Sequence, residues 1–235
     1  MTSTLPRRLL AASLLVGMSA CAGGPPVPDW QMNAQGAIER YEAAYMSGNT
    51  AVEHAEFARA RDQIASNGKV ALLLRVELLR CATRVASLVF DACPGYEALQ
   101  QDAAAPERAY AAYLAGQASA ATAALLPAQH RAVAGAASDT AAAQAVAAIA
   151  DPLAQMVAAG VLLRANRATP ALLANAVETA SNQGWRRPLL AWLGVQAMRA
   201  RQAGDAQEAQ RIARRIALVQ GERLQPGKDE AGKPR

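Results

Sequence analysis

Twenty-four of the 48 residues at positions 103–150 are alanine, and a chain built this way has few folds open to it. Elsewhere Ala, Leu, Gln, Arg and Glu dominate, all strong helix formers. Alternating runs of Val, Ile and Thr, the mark of half-buried strands, are missing. The fold class is therefore all-α. The same bias limits the core. Hydrophobic residues make up 52% of the chain, but aromatics only 4%, and an alanine side chain buries little apolar area. Residues 103–150 are accordingly expected to be less stable locally than the helices around them.

Helical periodicity and punctuation divide the rest. Trp30, Ala34, Ala37, Ile38, Tyr41 and Tyr45 form one apolar stripe, with Asp29 placed to cap it and Ser47-Gly48-Asn49 to end it. Thr50 and Glu53 have the spacing of a capping box. They open a helix through Phe57, Ala60 and Ile64 that stops at Asn67-Gly68. Residues 69–88 are apolar nearly all round, which predicts a central, buried helix. Pro106-Glu107 starts a helix that runs to Gly116. Asp151-Pro152 and Thr169-Pro170 each read as a cap followed by proline in the first helical position. Pro188 opens a helix ending at Gly204, and Asp205 with Glu208 starts the last one, closed by Gly221. A single helical domain is expected over residues 29–222. Residues 223–235 lack apolar content and are expected to be disordered.

The N-terminus has a different character. Arg7 and Arg8 precede twelve apolar or small residues at positions 9–20, too few for a bilayer span of about 20 but typical of a secretory signal. Met18, Ser19 and Ala20 then lead into Cys21. This stretch resembles the lipobox of bacterial lipoproteins, with Met at a position where Leu is usual. The resemblance implies removal of residues 1–20 and lipidation of Cys21. It also implies an outer-membrane address facing the periplasm, because Ala22 stands where an aspartate would favour retention in the inner membrane. The plain alternative is an ordinary signal peptide with a chance cysteine. Residues 21–28, rich in Gly and Pro, read as a tether.

Cys81 and Cys93 remain, and an even pair in an oxidising compartment suggests a disulfide. Twelve residues of continuous helix would separate their Cα atoms by about 18 Å, whereas a disulfide tolerates at most about 7 Å. The helix carrying Cys81 must therefore stop near Leu88, so that VFDACPG can fold back.

AAYMSG at 43–48 returns as AAYLAG at 111–116, a shift of 68 residues or twice 34. Thirty-four is the tetratricopeptide period. Leu193, Ala197, the Gly204-Asp205 turn, Ala209 and Ala213 are similar to that repeat's small-residue pattern, although its aromatic and closing proline are absent. The helix pairs at 30–67 and 187–221 carry the resemblance best, with 107–126 a weaker echo. It implies an array of antiparallel helix pairs, as a tetratricopeptide-like solenoid; an irregular helical bundle is the other architecture open to the chain.

No catalytic constellation is present. His54 and His130 lack partners at metal-ligand spacing and read as surface residues, and neither G-x-S-x-G, H-E-x-x-H nor a phosphate-cradling glycine loop occurs. Glu178-Thr179 only poorly approximates the Glu-Ser of a lytic transglycosylase. No cofactor or metal is expected. Charge is uneven: residues 185–235 carry eleven Lys/Arg against five Asp/Glu, and residues 21–184 eleven against fourteen. Trp185, Arg186 and Arg187 cluster at a helix junction and form the candidate partner-binding patch; the competing reading is a Trp185 plugged into the core beside two solvated arginines. An exported chain does not routinely meet nucleic acid. The expected role is that of a lipid-anchored periplasmic scaffold or adaptor for an envelope protein. A binder of a peptidoglycan or lipid component is the alternative, and a cell-wall-active enzyme a lesser one.

Overall fold

VALLLRVELL becomes the first ten residues of α3 (Val70–Ala86), and the other helices are arranged around it. The computed structural model describes residues 26–117 and 119–221. Among these there are eleven α-helices and no strand. Cys21, the expected signal segment and the expected polar tail lie outside the described residues, and residues 26–28 of the expected tether are exposed and irregular.

The described residues begin, after a short irregular stretch, with a hairpin of α1 (Asp29–Ser47) and α2 (Thr50–Ala65). Ala34, Ala37, Ala44 and Ala60 are buried there, and such small side chains let the two axes approach closely. After α3 come a single turn, α4 (Pro94–Glu97), and then α5 (Ala105–Leu114). The alanine-rich stretch continues as short pieces: a 3-10 segment at Ala120–Leu125, α6 (Ala128–Ala134) and α7 (Asp139–Ala147). Longer helices return with α8 (Pro152–Arg164), α9 (Pro170–Asn182), α10 (Arg186–Gln202) and α11 (Ala206–Gln220).

Several caps are as the sequence suggests. Asp151, Thr169 and Asp205 each accept a hydrogen bond from the backbone N–H three residues on. Two are not. Pro28 occupies the N-cap of α1, so Asp29 lies inside the first turn, where its charge favours the positive end of the helix dipole. Asn49 rather than Thr50 caps α2, and Glu53 points into the protein instead of back to the cap.

α3 ends as the cysteine spacing requires. Leu88 adopts a left-handed backbone, φ 62°, and the N–H of Val89 returns to the Arg84 carbonyl at 2.9 Å, a Schellman closure. The chain turns back and a disulfide joins Cys81 to Cys93, with Cα atoms 5.9 Å apart.

The pairs α1–α2 and α10–α11 have the expected antiparallel form, but α1 packs against α10 and α3 against α8. In a solenoid each repeat touches only its neighbours. These contacts between distant parts of the sequence instead enclose α3 as in a helical bundle. Three contacts at its C-terminal end hold the arrangement. The Tyr41 hydroxyl from α1 lies 2.6 Å from Thr83 Oγ1. Trp192 from α10, fully buried, donates its indole N–H to the Ala86 carbonyl at 3.0 Å, satisfying one of the acceptors a helix end leaves open. Gly160 of α8 lies against the Val85 carbonyl, and a Cβ at that position would overlap it. Gly160→Ala is therefore expected to destabilise the protein by about 1–3 kcal/mol, read as a lower urea midpoint; an unchanged midpoint would show that α8 does not depend on this approach.

Candidate functional site

The three residues of the candidate patch have different surroundings. Trp185 is the N-cap residue of α10, half-buried and packed on the core. Arg186 is exposed and donates from Nε to the Val219 carbonyl at 3.2 Å, linking the start of α10 to the end of α11. Arg187 turns inward. Its Nη2 lies 3.1 Å from Glu53 Oε2 and 3.2 Å from Thr50 Oγ1, and its guanidinium is 4.2 Å from the centre of the Tyr45 ring. Glu53 is only 2% exposed. Arg187 thus bolts α10 to the α1–α2 hairpin and is not a free surface cation.

That ion pair is one of a set. Glu56 takes Arg40 at 3.0 Å and Arg59 at 2.6 Å. Glu77 takes Arg61 at 2.7 Å, and Glu107 takes Arg75 at 3.1 Å. All four glutamates are buried, and each is paired across a helix boundary. Burying a carboxylate is costly unless it is paired, so the pairs that cross from one helix to another fix the register of those helices. Their burial can be read in the sequence: Glu53 lies in line with Phe57, Ala60 and Ile64 at helical spacing. The apparent capping box at Thr50 hid this signal.

Between α2 and α3, closed on one side by α4, lies an open cleft of about 360 Å³. Its walls include Glu53, His54, Phe57, Arg61, Glu77, Arg80 and Gly95. The Arg80 guanidinium sits 4.6 Å from the centre of the Phe57 ring. Gly95 is needed at the rim, because a Cβ there would overlap the Glu77 carboxylate. His54 is exposed, as expected.

His130 differs from its expected surface position. It is 1% exposed, with Nδ1 3.2 Å from the Tyr113 hydroxyl and its ring against Tyr110 and Tyr113. A larger share of the core than the alanine count suggests is thus built from these three rings. Burial lowers its pKa to about 4, with Asp151 pulling the other way. On α1, burial raises Glu42 to about 7, helped by the negative charges of Asp151 and Glu39. No group of three or more His, Cys, Asp or Glu side chains that could hold a metal occurs among the described residues.

The cations left at the surface gather at the chain's end. Residues 186–220 contain seven arginines and two acids. Within α11 only Ile212 is buried, while Leu218 is 63% exposed. No helix among the described residues is long and apolar enough to cross a membrane. No protein-family model matches the chain. Neither a curated protein nor a solved structure matches it.

Two outcomes follow from these charges. Arg187→Ala leaves the Glu53 carboxylate buried without its cation and is expected to cost about 3 kcal/mol; adding Glu53→Gln should recover part of the loss in chemical denaturation. His130, with its folded pKa below the ordinary 6.5, makes stability rise with pH between about 4 and 6.5, because the unfolded chain binds the extra proton. Glu42, raised from 4.5 to about 7, makes stability fall with pH over that span. The two oppose each other, so Glu42→Gln is expected to gain more stability than wild type between pH 4.5 and 6.5. Parallel profiles in denaturant melts would contradict this.

Proposed function

We propose that this protein is a lipid-anchored scaffold or adaptor of the bacterial outer membrane. In this reading Cys21 holds it at the periplasmic face, and the α10–α11 hairpin binds an acidic envelope protein. The observation that carries the reading is the edge position of α11, with Arg186 and Arg214 exposed beside a largely uncovered Leu218. An apolar residue ringed by arginines suits a partner that supplies carboxylates around an apolar anchor. Complementary charge of this kind speeds encounter and selects among partners. A tether at residues 21–28 would keep the bundle close to the membrane while leaving it free to turn. The proposal includes no catalytic step and no cofactor.

The test is mass spectrometry of crosslinked partners in native envelopes. It compares wild type with Arg186→Glu/Arg214→Glu, which spares the structural Arg187, and with Cys21→Ser. One dominant protein partner is expected with wild type and lost in the charge variant, and Cys21→Ser is expected to leave the membrane fraction. A partner retained in the charge variant would overturn the assigned surface. A Cys21→Ser protein still in the membrane would overturn the anchor.

A further inference from the structure

We propose that the cleft between α2 and α3 binds a small organic molecule with a single anionic head, a carboxylate or a phosphate, gripped by Arg80. The inference comes from the way this region uses its cations. Arg40, Arg59, Arg61, Arg75 and Arg187 each meet a buried glutamate. Arg80 lies among them, half-buried and lining the cleft, and its guanidinium makes no ion pair or hydrogen bond among the described residues. A guanidinium that lines a cleft with its N–H donors unused by the fold is available to form charge-assisted hydrogen bonds with a ligand oxyanion.

Arg80 is also held in place for the task. Its guanidinium lies 4.6 Å from the centre of the Phe57 ring, within cation–π range, and its N–H donors, unused in the fold, suit two-point recognition of a carboxylate or phosphate. The volume of about 360 Å³ falls within the range of small-molecule sites, about 300–1,000 Å³.

The walls restrict the charge. Glu53 is neutralised by Arg187 and Glu77 by Arg61, so Arg80 is the one surplus cation. A second negative group elsewhere on the ligand would meet those carboxylates, which favours molecules with one anionic head and disfavours those with several. Glu77 uses one oxygen for Arg61, and its other oxygen faces the bare backbone of Gly95. That oxygen is placed to accept a hydrogen bond from a ligand hydroxyl or amine.

The inference rests on the cleft alone and is separate from the adaptor reading. The experiment titrates the full chain with benzoate, phenyl phosphate and uncharged benzyl alcohol, following the Arg80 Nε–H resonance by ¹⁵N NMR. A saturable shift is expected with benzoate or phenyl phosphate, and which of the two binds more tightly identifies the head. Benzyl alcohol should give none. Arg80→Gln removes a guanidinium that makes no ion pair or hydrogen bond among the described residues and only lies over Phe57, so its thermal melt should stay within a few degrees of wild type. Its affinity should fall about tenfold or more, followed through neighbouring resonances. No saturable shift with either anion, or undiminished binding in a folded Arg80→Gln, would overturn the proposal.

Discussion

The bundle depends on the close approach of α8 to the last turn of α3. Gly160 brings a backbone against the Val85 carbonyl, and one residue further on the Ala86 carbonyl receives the indole of Trp192. Two helices that are distant in sequence thus meet the same turn of a third. With α3 fixed at this end, α9 is held between α8 and α10, and α1 can reach α10. Part of the remaining packing is shallow, since many of the buried side chains are alanine. Alanine surfaces can slide by a helical turn at little cost in buried area. The buried glutamates prevent this, because a shift of one turn would strand a carboxylate away from its arginine.

The helices were largely legible because their ends are written in side chains that act locally. Asp151, Thr169 and Asp205 bond to backbone groups three residues away, so no tertiary knowledge is needed to find them. The turn after Leu88 was legible for a different reason: two cysteines twelve residues apart cannot be joined along a straight helix. The echo between AAYMSG and AAYLAG also has a local meaning. Both end a helix at a left-handed glycine, Gly48 and Gly116, and both bury their tyrosine, Tyr45 and Tyr113. The similarity thus marks a shared helix ending, which a bundle can use as readily as a repeat.

What was not legible depended on partners far away in sequence. Glu53 fits a cap by spacing, and only Arg187, contributed from α10, explains why it is buried. The same pairing removes Arg187 from the surface patch that its neighbours suggest. His130 has nothing beside it in sequence to mark it as interior; Tyr110 and Tyr113, a full loop earlier, make its environment. The cleft was hidden for the same reason, since its walls come from two long helices and a glycine of α4 whose role shows only where Glu77 approaches it. Net charge is therefore a poor guide to surface charge in this chain. Several of the arginines behind its +5 are committed to interior carboxylates, and the free ones are concentrated at one end.

The disulfide also acts on more than the stability of the turn it closes. Cys93 immediately precedes Pro94 and Gly95, so the bond to Cys81 on α3 is what presses that glycine against Glu77. One wall of the cleft is thus held by a covalent link as well as by packing, for α4 is a single turn with no fully buried residue and Tyr96 resting half-buried on the core. With both thiols reduced, the helices could assemble while this wall hung loose. The recess would then take its shape only on oxidation, making the folded bundle and the finished cleft two separate events in the life of the chain.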